Sequence, residues 1–571
     1  MKKIVINIFV LVVLMLVSQQ TQAQTERIVK IIGINPKDTA QTNKLEYDQI
    51  FKAITADAPN RVAGVITKYE LQRGQAYLNV SSLTGAATTV GTITYPAFDL
   101  YFVASPIVQG ATAQQNYNPV ILASLTTTGG NNTILRPSKN LYMENIELDG
   151  LLPNGKLPAR IIELNGLAST ATLKGCKIQN NTQAHITLMV DDISLFISDC
   201  VIGNSGHLLG YGGNGRTIDN RAPTRVKQIV IQNSTFYNNT DRFIRSMLGQ
   251  KISKFKLDHV SLFNSTGRHG CFQLARTDTV EITNNMIVNP LAFGDRVPNT
   301  SRTPIITYRE EQTQTDKAFA VFTHDSTKVG QPVTQKVIIR NNNIYHEKKF
   351  EDFFNEVTAP DSVKTVRVLN NCLSTWAGSN TNDALWFREE LKFNNTSSSD
   401  DLLAYVKEWN LNPKAATLKS YNFSTIFAFE WDVAYPTTSK SYTAGDNGFP
   451  LGDLNAWPER KAQWIASLSK APQMNRSKTS EGINVANCYP NPFNNQITID
   501  FTLEKDQTIE VSVFNSMGQK VKSLLNSNKD AGQYTTIWDG TNDSGRDLSN
   551  GMYFIQISGA NGKVVNKIMK Y

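Results

Sequence analysis

Between residues 241 and 276 seven cationic side chains are set against only two carboxylates. The cations are Arg242, Arg245, Lys251, Lys254, Lys256, Arg268 and Arg276, and the acids are Asp241 and Asp258. A strip of that sign attracts a polyanion. Beside a sugar carboxylate, guanidinium groups would also stabilise an enolate once the neighbouring proton has been taken. His269, next to Arg268, adds a titratable neighbour.

Such residues need a scaffold, and a recurring phrase supplies one. It reads Asn145-Ile-Glu-Leu148-Asp, Gly175-Cys-Lys-Ile178-Gln-Asn180, Asp199-Cys-Val-Ile202-Gly-Asn204 and Asn233-Ser-Thr-Phe236-Tyr-Asn238. It continues as His259-Val-Ser-Leu262-Phe-Asn264, Asn284-Asn-Met-Ile287-Val-Asn289, Asn341-Asn-Asn-Ile344-Tyr-His346 and Asn370-Asn-Cys-Leu373-Ser. The apolar anchors Leu148, Ile178, Ile202, Phe236, Leu262, Ile287, Ile344 and Leu373 lie 30, 24, 34, 26, 25, 57 and 29 residues apart. A period in this range means a repeat architecture, and the period-two, β-branched character of each unit means stacked parallel strands. The 57-residue gap is expected to hide one whole coil plus an insertion. The opening Asn, Asp or Gly sits between two apolar runs, where the chain must bend through the left-handed region. Asn233, Asn284, Asn341 and Asn370 are therefore read as structural corners stacked in an amide ladder.

A second strand precedes each corner region: Arg160-Ile-Ile-Glu163-Leu, His185-Ile-Thr-Leu-Met, Arg242-Phe-Ile-Arg245-Ser-Met and Gly270-Cys-Phe-Gln273-Leu. Alternation puts Ile162, Ile186, Ile244 and Phe272 inside and leaves Glu163, Thr187, Arg245 and Gln273 stacked outside.

The remaining chain sets the context. With 571 residues, 19% charged and 40% apolar, it is a folded protein of more than one unit. Its net charge of +8 would suit nucleic acid, an acidic membrane surface or an acidic polysaccharide. Lys2-Lys3, an apolar run from Ile4 to Val17 and Thr21-Gln-Ala23 read as a signal peptide cleaved after Ala23, too short for a membrane span. Export disfavours nucleic acid, and no transmembrane helix is expected in the mature chain, which is taken as a monomer. Cys176 and Cys200 occupy one phrase position on consecutive coils, about 4.8 Å apart. They would either form a disulfide or stack as small apolar side chains. No Cys/His spacing indicates a metal.

A helix from Leu45 to Ala56, with Leu45, Ile50, Phe51 and Ile54 on one face, would cap the exposed sheet edge. Residues 66–135 supply irregular first coils, and residues 291–335 a coil with a long excursion. Amphipathic helices Asp400 to Trp409 and Pro458 to Leu468 would close the far end. Residues 470–483 read as a linker. Alternating segments Gln496 to Leu503, Thr508 to Phe514, Gln533 to Trp538 and Gly551 to Ser558 then predict a small antiparallel sandwich.

Two resemblances follow. Residues of about 45 to 460 resemble the right-handed parallel β-helix superfamily of pectate-lyase-like proteins, nearest to secreted β-helix proteins of Bacteroidetes-like bacteria; the phrase Pro450-Leu-Gly-Asp453-Leu-Asn-Ala-Trp457 is part of that likeness. In such relatives the strands before the corner form the glycan groove. The resemblance implies Arg245 as base or enolate stabiliser, with Arg242, Arg268 and His269 beside it. Glu163, Thr187, Gln273 and Arg276 would contact substrate. The aspartate cluster that pectate lyases use for Ca²⁺ is not visible, and Asp191-Asp192 with His269-Gly270 match only fragments of polygalacturonase motifs. The tail resembles the type A sorting domain of the type IX secretion system. The phrases carrying this are Tyr489-Pro490-Asn491-Pro492-Phe-Asn494, Val513 to Val521, Trp538-Asp-Gly540, Gly545, Leu548-Ser-Asn-Gly551-Met-Tyr553-Phe554 and Lys567-Ile-Met-Lys-Tyr571.

The expected fold is all-β: a right-handed parallel β-helix followed by a small Ig-like antiparallel β-sandwich. Its parts are a signal peptide (1–23), an N-terminal segment with the capping helix (24–64), the β-helix with closing helices (65–469), a linker (470–483) and the sorting domain (484–571). Two functions remain open: a lyase-type enzyme on acidic polysaccharide, with Ca²⁺ as its conceivable cofactor, or a non-catalytic glycan-binding or adhesion protein. Both would be handled by the type IX machinery and sit at the cell surface or outside the cell.

Overall fold

The computed structural model describes residues 26–35, 48–78, 98–122, 133–150, 157–206, 215–246, 250–265, 271–274, 276–292, 320–323, 336–356, 367–369, 386–396, 399–411, 431–469, 483–489, 493, 496–515, 519–548, 551–560 and 562–570. The chain divides into two units, Met1–Trp464 and Ile465–Tyr571. Large parallel sheets make up the first and small antiparallel sheets the second.

In the first unit each repeat contributes three strand segments. The phrase anchors stack in register through parallel pairing: Leu148, Ile178, Ile202, Phe236, Leu262, Ile287 and Ile344 are successive partners. The strands preceding the phrase form a parallel run in the same 18-stranded sheet, and Met143, Leu173, Ile197, Ile231, Leu257, Ile282 and Ile339 stack along it. Arg225–Asn239 and Lys251–Ser265 are single bent strands in which both runs merge. A separate eight-stranded parallel sheet, here the short sheet, stacks Leu135, Ile162, Ile186, Ile218, Ile244, Phe272, Phe322 and Leu369. Nearly all of these anchors lie in one continuous apolar core. No single repeat could close such a core by itself, so stacking is what stabilises it.

The corners explain the polar positions of the phrase. Asn145, Gly175, Asp199, Asn233, His259, Asn284 and Asn341 all have φ between 44° and 62°. The closing residues Asn180, Asn204, Asn238, Asn264 and Asn289 also have positive φ. It is here, at the second corner, that the amide ladder runs. Asn289 Nδ2 donates to Asn264, Asn264 to Asn238, Asn238 to Asn204 and Asn204 to Asn180, over 3.0–3.3 Å. Carboxylates terminate it, because Asn180 donates to Asp149 and Asn289 to Glu347. Among the described residues the ladder expected at the first corner is reduced to one bond, Asn341 to Asn284. His259 and Asp199 break it there, and Asn370 lies outside the described residues.

Other expectations also need correction. Ile287 pairs directly with Ile344, so the 57-residue gap holds one coil with an insertion and no additional coil. Cys176 and Cys200 are free, buried thiols. The capping helix is Gln49–Asp57; Ile50 and Ile54 are buried, Phe51 is 36% exposed, and Leu45 is outside the described residues. A strand missed in the sequence, Glu26–Ile31, pairs with Ile66–Leu71, and its Arg27 clamps Asp57 through two bonds of 2.6 Å. Helices Asp400–Leu411 and Pro458–Ser469 form as expected, and Lys348–Glu356 is an additional one. The segment around Asp453 lies across consecutive corners. Thr235 Oγ1 donates to Asp453, Asp453 N donates to Ser261, and Asn455 Nδ2 donates to the Asn233 carbonyl.

The second unit pairs Ile483–Tyr489, Ile497–Leu503 and Gly532–Trp538 in one sheet. A second sheet holds Gln507–Asn515, Lys520–Lys529, Gly551–Gly559 and Gly562–Lys570. Three of these strands, Ile483–Tyr489, Lys520–Lys529 and Gly562–Lys570, were not legible as strands in the sequence.

Candidate functional site

The outward positions of the short sheet carry the charge. In register, Glu163, Thr187, Asp219, Arg245, Gln273 and Thr323 form one column. Three residues before that column, at the starts of the same strands, Arg160, Ala184 and Arg216 are in register with one another. The sequence reading placed Thr187 next to Arg245 and missed the strand Arg216–Asn220 between them. Its single inward isoleucine, Ile218, gives too short an apolar signal to be recognised, yet Asp219 is the centre of the site.

Asp219 is fully buried and bound by three arginines. Arg245 Nε donates at 2.6 Å, Arg221 Nε at 2.8 Å and Arg216 at 3.0 Å. Burial pushes its carboxyl up, but the charges of Arg216 and Arg245 overcome this and hold it below the usual range. Burial lowers the Arg216 guanidinium to about 10 despite Asp219 and Asp241. It also lowers that of Arg245, against the pull of Asp219. Arg242 contacts Asp241 at 3.1 Å and donates to Gln273. Two coils earlier, Glu163 accepts from Arg160 at 2.6 Å and from Arg136 Nε at 2.6 Å. Among the described residues six arginines therefore pair with three carboxylates, leaving positive charge in excess.

Of the expected site residues, Arg242, Arg245 and Gln273 are brought together, while Glu163 and Thr187 are buried rather than open to solvent. Arg268 and His269 lie outside the described residues. Arg276 begins the strand Arg276–Thr283, in the long sheet and not the short one. Lys251, Lys254 and Lys256 lie on the long sheet as well, so the seven cations do not share one strip. Asp191 accepts from Thr224 and the Arg225 backbone, and Asp192 pairs with Arg225, which makes the pair a turn anchor. Among the described residues no group of three or more His, Cys, Asp or Glu is arranged to hold a metal ion. The assembled donors are guanidinium groups, which suit an anion.

In the second unit Trp538 is buried against Phe493 and Tyr553, with ring centroids 5.3 and 5.2 Å away. Its indole N–H donates to the Thr541 carbonyl at 2.8 Å. Gly540 has φ 76°, and a Cβ there would meet Lys570 Cε at 2.3 Å. Lys570 is thereby admitted to donate to the Leu548 carbonyl at 2.7 Å and to Asp547 at 2.8 Å. Tyr489 and Gly551 lie on strands, whereas Pro490, Asn491, Pro492 and Ala23 are outside the described residues.

Residues 487–571 match the family described as the secretion system C-terminal sorting domain. They are a type IX sorting domain, and the protein is exported to the cell surface or extracellular space. A search of curated proteins found no match. Two solved structures show local similarity. One is dimeric latent PorU from Porphyromonas gingivalis, at 20% identity and TM-score 0.14 over 15% of this chain and 9% of that one. The other is the Pseudomonas fluorescens alkylpurine DNA glycosylase AlkC bound to abasic-site DNA, at 14% identity and TM-score 0.13 over 23% and 57%. The chain thus spans less than two thirds of either, and at these scores neither bears on its fold or function.

Proposed function

We propose that this protein is type IX cargo whose parallel strands wind as a right-handed β-helix and whose short sheet binds anionic polysaccharide. The observation carrying the reading is that, among the described residues, Arg136, Arg160, Arg216, Arg221, Arg242 and Arg245 pair with three carboxylates on coils to either side of the strand Ala184–Leu188. A polyuronate repeats its carboxylates along a chain, and a stacked sheet repeats its guanidinium groups along an axis. Binding without cleavage is favoured because Arg245, the first candidate for base, is held by Asp219 at 2.6 Å. A base must reach the substrate proton, and this guanidinium is spent on a buried carboxylate. The signal peptide ending at Ala23 and the linker at 470–483 complete the reading, as leader and as spacer before the sorting tail.

One observation favours the lyase alternative: burial lowers the Arg245 guanidinium, the direction a base requires. Incubation with a panel of polyuronates, with and without Ca²⁺, separates the two readings. Retarded migration in glycan-containing gels without formation of unsaturated, ultraviolet-absorbing product supports binding. Product formation abolished in Arg245→Ala would establish β-elimination instead.

A further inference from the structure

Residues 446–461 contribute no strand to either parallel sheet, yet the segment crosses the first corners of five consecutive coils. Asp446 accepts from Arg340 at 2.6 and 2.9 Å and from Asn341 at 2.9 Å, and its amide donates to the Asn284 side chain at 2.9 Å. Gly452 N donates to the Asn284 carbonyl at 2.8 Å. Asp453 then reaches Ser261 and Thr235, Asn455 reaches the Asn233 carbonyl, and Lys461 pairs with Asp199 at 2.7 Å. The segment thus runs against the direction in which coils are added, over four strand spacings or about 19 Å. At the middle corner apolar groups take over. The His259 ring packs on Trp464, with centroids 5.4 Å apart, and lies 6.5 Å from Phe449. Phe449, Leu454 and Trp464 form a small apolar cluster of their own, apart from the continuous core of the coils.

Two titratable groups of opposite kind lie beneath this segment. His259 is fully buried, neither ring nitrogen has a hydrogen-bond partner, and Asp258 Oδ1 is 3.4 Å from Nδ1. Burial lowers its imidazole against the charges of Asp258 and Asp446, with Lys256 lowering it further. Arg460 lies over Phe449, 5.0 Å from the ring centroid. Asp453 is 3% exposed and accepts from Thr235 at 2.8 Å and from the Asn455 amide and side chain at 2.9 and 2.7 Å. Among the described residues no cation donates to it, and Lys461 is spent on Asp199 and the Asn455 side chain. Burial raises the Asp453 carboxyl to about 6, with the charge of Asp199 adding to it, against those three bonds. Opening would bring water to both groups. His259 would then take up a proton below about pH 6.5, and Asp453 would give one up between about pH 6 and pH 4. Alone, each exchange changes the open population by up to about tenfold per pH unit, in opposite directions.

We infer that residues 446–464 are a clasp that opens and recloses as one unit while the coils beneath stay stacked, and that it covers Asp453 and His259 as an opposed pair, so that mild acid does not release it. The clasp keeps the corners shut in surroundings whose pH the cell does not hold constant, because opening takes up and gives off one proton each.

Hydrogen exchange of the full chain, corrected for the intrinsic pH dependence of exchange, tests this. The amides of Asp446, Gly452 and Asp453 read the clasp, and those of Arg225–Asn239 read the stack. Between about pH 6 and pH 4.5 the clasp amides should exchange at least about tenfold faster than the strand amides, by a ratio that shifts less than about threefold. Asp453→Asn should make clasp opening rise by up to about tenfold per pH unit on acidification, and His259→Asn should make it fall by as much. Asparagine already holds the equivalent corners at Asn233, Asn284 and Asn341. The double variant should be flat again. Asp446 does not titrate in this range, because burial pushes its carboxyl up but Arg340 and Asn284 hold it below the usual values. Clasp and strand amides exchanging together would mean no separate opening and would overturn the inference. It is overturned equally by a parent slope of tenfold per pH unit in either direction, or by single variants that both keep the parent's slope. The parent readings decide even where a variant does not fold.

Discussion

Asn238 sits in the middle of the second-corner ladder, and its replacement tests whether that ladder holds the coils together. It is fully buried, donates to Asn204 at 3.1 Å and accepts from Asn264 at 3.3 Å. Asn238→Ala strands the Asn204 carbonyl oxygen and one Asn264 N–H in the interior. Each orphaned group costs about 1–3 kcal/mol. The residue also holds φ 55°, where alanine pays about 1 kcal/mol that asparagine partly escapes through its local hydrogen bonding. The expected loss is therefore about 3–7 kcal/mol. Asn238→Gly removes the backbone strain but not the orphaned partners, and should recover only about 1 kcal/mol of it. Hydrogen exchange of the amides in Arg225–Asn239 and Lys251–Ser265, with denaturant unfolding, reads both variants in the affected coils. A loss under about 1 kcal/mol for Asn238→Ala, or full recovery by glycine, would refute the ladder as a stabilising device and leave backbone conformation as the whole effect.

Further outcomes follow from other contacts. Asp219→Ala leaves Arg216 and Arg245 without their common carboxylate and should destabilise by about 3–5 kcal/mol, measured by denaturant unfolding. Burial raises the Asp453 carboxyl to about 6, so its folded state gains stability as pH falls through that value towards the ordinary carboxylate range. Burial lowers the wholly enclosed His185 to about 4, so its contribution runs the opposite way and is lost as pH falls below about 6.5. Asp453→Asn should accordingly make the acid sensitivity steeper by about 1 kcal/mol between about pH 7 and pH 5, seen as a larger shift of the unfolding midpoint than in the parent chain. Gly540→Ala places a methyl group against Lys570 and adds strain at positive φ, so the sorting unit should lose about 1–3 kcal/mol and be secreted less efficiently.

How far the sequence carried differs from one feature to the next. The long-sheet register was legible because Leu148, Ile178, Ile202, Phe236, Leu262, Ile287 and Ile344 each sit at one fixed place within a polar-framed phrase. The first corners were legible because Asn, Asp and Gly tolerate the left-handed bend that the apolar runs require. The location of the amide ladder was not, since both corners carry asparagine and only spatial stacking tells which set aligns without interruption. The site was half visible. Arg242 and Arg245 announced themselves by charge, but Asp219 sits in Arg-Thr-Ile-Asp-Asn, a five-residue strand whose polar outward face looks like a loop. Glu163 and Thr187 were placed in the correct column but given to solvent, because strand alternation says which face a residue takes and nothing about what lies over that face. The tail was recognised from its turn phrases, whereas Lys520–Lys529 escaped notice because a polar edge strand lacks the alternation that marks a buried one.

If the arginines of the short sheet hold an anionic polysaccharide, an acidic glycan cast into a gel must slow the chain. Electrophoresis of the full chain through gels containing polygalacturonate, a sulfated glycan or a neutral glycan, repeated for Arg245→Ala and Arg216→Gln, tests it most directly. Retardation is expected in an acidic gel only, weakened by salt and by both substitutions. Equal migration in all three gels, or retardation that neither substitution alters, would contradict it.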